Sequence, residues 1–522
     1  MSNLLKRRKM NDKIKTVLIF FLVAGLMTGC SKEYLDREPS GNITAEQLQE
    51  ASKTNPDISK AMVSGIYTLT FVQGTGNTKR HDDYGQKSID IATDLMTGDM
   101  ALGGKTYTWF ATVYELQGQK STDERSIMNW KYYFTIIKAA NEVIDGLGGS
   151  DAMPEDPVNR AWFGQAKTLR AYAYFYLANL YQNSYHGNKN DPCIPVYETQ
   201  LTISAQPLAT ADEVYSLVIK DLEDAVVALD GYTRTNKVEI DKYVAEGFLA
   251  YAYLTTGNFS GAVNAANDII NNGGFQLMSS AEVVESGFRS VTIPGWMWGI
   301  DLTTDNTMAL ASFWGHMDIF TFSYAGVGDY KAIDISLWNR IPETDVRKNQ
   351  FADAFGNGDL LPVWKFWDSG RTVIGDRTWT NDLVYMRVAE MYLIKAEALA
   401  RSGNDAEAAA ALWDLVKERN PEAEERILAL RGQDLLDEIY FQVRIELWGE
   451  GKTYLAMKRF EATHVRGQNH MDLAGEAISY TDSRMRFEVP EDEITNNPFI
   501  SIGDISAILD KNKEPEINFK KK

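Results

Sequence analysis

Over residues 160–182, RAWFGQAKTLRAYAYFYLANLYQ, the apolar positions Trp162, Ala166, Leu169, Ala173, Tyr176 and Leu180 recur at steps of four and three. That spacing places side chains on one face of an α-helix. Phe163, Tyr174, Leu177 and Tyr181 form a second stripe beside the first, which leaves a narrow polar edge around Gln165, Lys167 and Arg170 for water. A helix apolar over most of its circumference has to be surrounded. Ala166, Ala171, Ala173 and Ala178 let partner helices approach closely, and the aromatic rings fill the gaps between them. This segment is the expected centre of a helical core.

Helical period recurs on both sides of it. Residues 58–69 fit a first core helix, and 127–147 place Trp130, Phe134, Ile137, Ala140 or Asn141, and Ile144 on one face. Thr210, with Glu213 three residues on, makes a capping box for a helix over 211–229. In 245–270, Leu249, Ala250, Tyr253, Gly257, Phe259, Ala262 and Ala266 follow the tetratricopeptide pattern, and 387–416 repeat it with Ala389, Tyr392, Leu393, Ala396, Leu399, Gly403, Ala408 and Leu412. Small residues sit where paired helices touch, and Gly257 permits the tight turn between them. The pattern predicts a mostly α fold in which about four tetratricopeptide-like helical pairs form one extended core.

Two stretches break the pattern. Residues 71–116, with GTGNTKRHDDYG and TGDMALGGKTYTW, lack helical period, as do most of residues 275–381. In the second stretch Trp296, Trp298, Trp314, Trp338, Trp364, Trp367 and Trp379 accumulate among Gly, Asp, Ser and Thr, and WMWGID alternates like a strand. Long irregular regions in a compact protein are either surface excursions or carriers of function. The expectation is a partly β insertion that carries a ligand face.

Composition narrows the partners. At 522 residues the chain exceeds the usual single core of ~250 to 300 residues, which fits several domains or one extended array. A formal charge of −19 argues against nucleic acid and anionic membrane surfaces. Aromatics at 11%, with 12 Trp and 25 Tyr, are generous for a helical protein and point either to core filler or to surfaces that stack on a ligand. At the N-terminus, Lys6, Arg7, Arg8, Lys9, Lys13 and Lys15 precede an apolar run over 17–27 that ends in LMTGC. This reads as a lipoprotein signal peptide over 1–29, with Cys30 the acylated residue of the mature chain. The run is short for a permanent membrane span of ~20 residues. With Cys30 lipidated, Cys193 has no disulfide partner within the chain and reads as a small buried hydrophobe.

Several blocks resemble the SusD/RagB family of nutrient-binding outer-membrane lipoproteins. They are LRAYAYFYL at 169–177, EVYSLVIKDLEDA at 213–225, RVAEMYLIKAEAL at 387–399, RIELWGEGKTYLAMKRF at 444–460 and VPEDEITNNP at 489–498, with IPVY at 194–197 and Tyr34, Leu35, Asp36 and Pro39 after the lipobox. Met27 stands where lipoboxes usually have Leu, Lys452 where the family has Arg, and Ala456 where it has Asp. The resemblance implies one SusD-like domain over 30–522 and a lipid-anchored place on the outer membrane at the cell surface. It also implies an oligosaccharide or polysaccharide ligand and delivery to a SusC-like TonB-dependent transporter, with no nucleic acid, no cofactor and no enzymatic activity. A peptide-binding relative of the RagB branch is the alternative, and a surface glycoside hydrolase a further one.

Candidate binding residues rest on local composition, since no motif marks them. Sugars offer apolar C–H faces and hydroxyl rims, which call for flat aromatic platforms edged by polar groups. Arg80, Asp83, Tyr84, Tyr107 and Trp109 from the first irregular stretch, and Trp296, Trp314, His316 and Tyr324 from the second, are the candidates. Trp298 reads as a core residue of its strand. GEGKT at 449–453 lacks the upstream glycine and the strand of a phosphate loop. The five histidines show no zinc spacing, and no G-x-S-x-G elbow is present. Asp82, Asp83, Asp94 and Asp99 are the acids that a glycosidase would draw on, or a cation site, or ordinary solvated loop acids.

Overall fold

The computed structural model describes residues 55–500, together with 47, 50 and 51, apart from 203, 308, 371, 373–374 and 376–379. The signal peptide, Cys30 and the segment around Tyr34 lie outside the described residues, as does Trp379.

Side-chain caps start most of the long helices. Asn55 accepts from Asp57 N (3.1 Å) to open α1, Pro56–Leu69. Asp123 opens α3, Glu124–Gly146, and Asp156 opens α4, Pro157–Tyr181; α2, Gln86–Thr97, lies between α1 and α3. The Thr210–Glu213 capping box opens α5, Ala211–Ala228. Gly257, at φ 84°, separates α6, Lys242–Thr256, from α7, Phe259–Asn272. Gly403, at φ 79°, does the same between α8, Val388–Arg401, and α9, Asp405–Val416. Both turns need the left-handed backbone that only glycine adopts without strain. Helix α10, Gly432–Glu446, follows.

Helices α3 to α9 pack in succession, each on the next, and α10 returns onto α8. These are the four expected pairs. The contact between α7 and α8 joins helices that the long insertion separates in sequence. Sheet content is confined to two-stranded antiparallel pieces among the described residues. Strand β1, Met100–Leu102, pairs with β5, Lys331–Ile333; β2, Pro192–Pro195, with β3, Leu208–Thr210; and β4, Trp296–Ile300, with β6, Leu383–Arg387. The β4–β6 pair closes the insertion at its base, and β1–β5 ties the first irregular stretch to the second.

Two expectations are corrected here. The edge of α4 around Gln165, Lys167 and Arg170 does not face water: all three are fully buried. Lys167 and Arg170 both bind Asp221 of α5 (2.8 and 2.7 Å), Arg170 also donates to Asn141 (2.8 Å), and Gln165 accepts from Tyr67 (2.5 Å). The stretch 71–116 is also not without helix. Every residue of α2 is buried, Lys87, Asp90 and Asp94 included, so it has no polar face from which a period could be read.

At the C-terminal end of α10 lies a buried charge node. Glu446 accepts from Arg347 (3.1 Å), Arg387 (3.0 Å) and Arg419 (3.0 Å), and Glu450 from Arg387 (2.8 Å) and Lys365 (3.0 Å). Burial pushes the Glu446 carboxyl up, but the three guanidinium groups outweigh it and hold it well below the usual range. Arg347 and Lys365 come from the insertion, so this node clamps it to the array. Lys452, the lysine of GEGKT, donates to Tyr176 of α4 (2.8 Å), a core role. Cys193 is buried, and burial pushes its thiol up to about 12.

Candidate ligand-binding face

Arg80 is fixed from below. Asp82, fully buried, accepts from Arg80 Nε (2.8 Å) and from Arg125 of α3 (2.6 Å). Burial alone would raise the Asp82 carboxyl; Arg125 and Arg80 instead hold it well below the usual carboxylate range. Arg80 also reaches Glu124 (2.9 Å), and its guanidinium lies 5.4 Å over the Trp109 ring. Asp83 pins the preceding turn, accepting from Gly76 N (2.9 Å), Thr78 N (3.1 Å) and the Thr78 hydroxyl (2.8 Å).

Trp109 sits on a strained segment. Thr108 and Phe110 on either side of it have φ of 62° and 63°, a conformation that residues with side chains keep only where their surroundings impose it. The surroundings are visible. Gly103 N donates to Tyr330 O (2.9 Å), and the Asp329 carboxylate accepts from Thr106 N (2.6 Å) and Tyr107 N (3.0 Å). Phe110 is buried against His316, with ring centroids 5.2 Å apart.

The rings form two tiers. In the upper tier His81 lies flat on Trp109 (5.3 Å, 12°), and Tyr324 meets Trp109 (6.0 Å) and Tyr107 (5.0 Å) edge-on. The Tyr324 hydroxyl also bonds His81 Nδ1. Tyr107 is 48% exposed, while Arg80, His81 and Trp109 are half-buried. In the lower tier His316 stacks on both Tyr324 (4.8 Å, 20°) and Tyr84 (5.5 Å, 17°) and donates through Nε2 to His81 O (3.0 Å). Burial, helped by the nearby Lys331, keeps the His316 imidazole neutral, well below its ordinary range. Lys331 is fully buried, 5.3 Å from the Phe110 ring; burial pushes its ammonium down to about 7 against the pull of Asp329 and Asp82.

The structure therefore brings Arg80, Tyr107, Trp109 and Tyr324 together and adds His81, which solitary spacing had not marked; its one signal was adjacency to Arg80. Tyr84, His316 and Asp83 stand beneath this group, buried, and Tyr324 is itself only 7% exposed, so these four support the face rather than form its open surface. Trp296 and Trp314 are corrections. Trp296 is 0% exposed on β4, and Trp314 is 3% exposed, packed on Phe313 and Phe366 with its indole donating to Asp382 O (3.3 Å). A five-residue helix, Phe313–Met317, buries a segment too short to show a period. Trp298 lies in the core as expected, between Tyr172, Phe248 and Tyr385.

The four acids weighed for catalysis are all drawn inside the fold. Asp82 and Asp83 serve as described, Asp94 accepts from Gly451 N (3.2 Å), and Asp99 binds Arg444 Nε (3.0 Å). A hollow of about 600 Å³ lies elsewhere, lined by residues such as Tyr67, Phe71, Trp162, Glu239 and Asp301, and shares no residue with the ring cluster. The cluster is a platform rather than a cavity, so a hollow is not where stacking chemistry would show.

A sequence model of the SusD family matches residues 336–500, and a second one, described as starch-binding associating with outer membrane, matches residues 54–254. A SusD-like protein of Bacteroides ovatus is 24% identical over 283 residues, 51% of this chain and 46% of that one. A SusD-like protein of Formosa agariphila is 22% identical over 305 residues, 56% and 53% of the two chains. The chain thus spans about half the length of the curated relatives it matches. Among solved structures, a SusD-like carbohydrate binding protein from Bacteroides vulgatus superposes with a TM-score of 0.74 at 23% identity, over 90% of this chain and all of that one. Surface glycan-binding protein A from Bacteroides thetaiotaomicron, solved with laminarihexaose, does so at 0.62 and 16% identity, over 85% and 98%. Family models that together match more than half of the chain, with relatives of the same name and one shared fold, make this chain a member of the SusD-like family.

Proposed function

We propose that the protein captures an oligosaccharide on the Tyr107–Trp109–His81 platform, backed by Tyr324, and passes it to a TonB-dependent outer-membrane transporter, over which it acts as a lid. The observation that carries this reading is the tiered ring cluster. Its outer rings, Tyr107, His81 and Trp109, keep solvent exposure while the buried rings of Tyr324, His316 and Tyr84 and their hydrogen bonds hold them, an arrangement already organised for stacking before a ligand arrives. Similarity to the glycan-bound protein of the same fold supports the ligand class, and the family supports the transporter. Attachment through Cys30, a cell-surface location and one SusD-like domain over 30–522 belong to the same proposal.

The test is a screen of the soluble chain from Ser31 onward against immobilised polysaccharides, beside a Trp109→Ala variant. Retention on one polysaccharide class without product formation, lost in the variant, supports the reading. A folded protein that binds no glycan but retains peptides would replace it with peptide capture, and release of shortened sugars would replace it with hydrolysis.

A further inference from the structure

We propose that Tyr330 and Phe355 form a second stacking platform on the same face, and that the ligand is therefore an uncharged polysaccharide segment lying across both platforms rather than a mono- or disaccharide. This rests on the glycan reading above.

Phe355 is 45% exposed and meets Tyr330 at 5.5 Å. Its loop, 353–359, is rigidly built. The Asp353 carboxylate accepts from the amides of Gly356 (2.7 Å), Asn357 (3.1 Å) and Gly358 (2.9 Å), the two glycines take φ of 71° and 90°, and reciprocal bonds between Ala352 and Leu361 close the base. A fixed loop that holds a phenyl ring half in water gains little core burial from it, which suits a contact awaiting a partner. Polar groups edge the ring pair: the Tyr330 hydroxyl donates to Asp359 (2.9 Å) and accepts from Asn357 (2.7 Å).

Backbone contacts weld this platform to the first. Tyr330 O accepts from Gly103, and the adjacent Asp329 accepts from Thr106 and Tyr107. A Cβ on Gly103 would stand 1.8 Å from the Tyr330 ring and one on Gly104 1.8 Å from Gly328 O, so the two segments touch backbone to ring and backbone to backbone. Only three residues, Gly104 to Thr106, separate Gly103, against Tyr330, from Tyr107, a span of at most ~14 Å when fully extended. Both platforms thus lie within reach of one short run of sugar units, and a chain that covers both makes contacts that a sugar held on one platform lacks.

Charge selects among chains. The edge of the second platform carries Asp353, Asp359 and Asn357, and at the first the guanidinium of Arg80 is already bound to Asp82 and Glu124. A uronate or sulfate group would meet carboxylates on one platform and a neutralised cation on the other. Neutral sugars meet no such penalty.

The experiment retains wild type, Phe355→Ala and Trp109→Ala on affinity gels of neutral, carboxylated and sulfated polysaccharides, then titrates each with the dimer and the hexamer of the retained polymer. Expected is retention on a neutral polymer, about tenfold weaker hexamer binding by Phe355→Ala with unchanged dimer binding, and loss of both by Trp109→Ala. Hexamer binding by Phe355→Ala equal to wild type, with Trp109→Ala still defective, overturns the second platform and leaves the first standing. Retention on anionic polymers only overturns the charge argument. No retention on any glycan by folded wild type, or wild-type binding by Trp109→Ala, overturns the reading beneath it. Thermal unfolding of each variant separates lost contacts from lost structure.

Discussion

Arg170 and Arg80 invite comparison, because each is a cation held by a buried aspartate beside aromatics, yet the two regions use them differently. In the helical array Arg170 is enclosed on every side, its donors divided among Asp221, Asn141, Ser150 and backbone oxygen, while the rings of α4 pack all round against Tyr133, Phe248, Tyr215 and Tyr251. On the loop-built face Arg80 is anchored below and half-exposed above, and the rings of His81 and Trp109 stay half-buried while that of Tyr107 is exposed. Enclosure converts polar and aromatic groups into stability and specificity of packing; support from one side keeps them stiff yet available. The lower tier of Tyr84 and His316 is where one regime passes into the other.

That comparison can be broken by mutation. The largest effect is expected from Asp221→Ala, which strips the buried Arg170 of its carboxylate partner and leaves Lys167 with Asp224, and should cost about 3–5 kcal/mol in denaturant unfolding, while folded molecules bind ligand as before. Trp314→Ala should cost a similar ~3–5 kcal/mol by opening a core cavity, again without a selective loss of affinity. Unchanged stability with lost binding would move Trp314 to the face.

Lys331 sharpens the boundary between the regions. Its folded pKa, about 7, lies below its ordinary 10.5, so between these values the unfolded chain binds more protons and stability rises with pH. Below about pH 7 the cost of charging a buried ammonium is fully felt. Lys331→Met should remove that rise, a difference of roughly 2–4 kcal/mol between pH 7 and 10, read by chemical unfolding at each pH. The smallest change in stability, under ~1 kcal/mol, is expected for Trp109→Ala, together with a loss of about 1–3 kcal/mol in glycan affinity by titration. A large loss of stability there would make Trp109 a core residue after all.

Legibility followed burial geometry. Helices α5, α7 and α9 could be placed from spacing and caps because each buries one face and wets the other, while α6 and α8, enclosed nearly all round, were legible from their small-residue pattern and the glycine turns that follow them. Helix α2 and the edge of α4 were misread for the opposite reason: total enclosure pairs Lys87 with Asp90 and Arg170 with Asp221, and a paired charge looks like a wet one in sequence. Trp296 and Trp314 were misread because tryptophan suits both a core and a platform, and only the neighbours decide.

By itself the sequence determined the helical array, its pairing turns and the family motifs, since these depend on residues within a few turns of one another. Only the tertiary structure decided which of the rings in two distant stretches share a face. That choice is made by contacts across more than 200 residues, Tyr107 N to Asp329 and His81 to Tyr324, which no local spacing encodes.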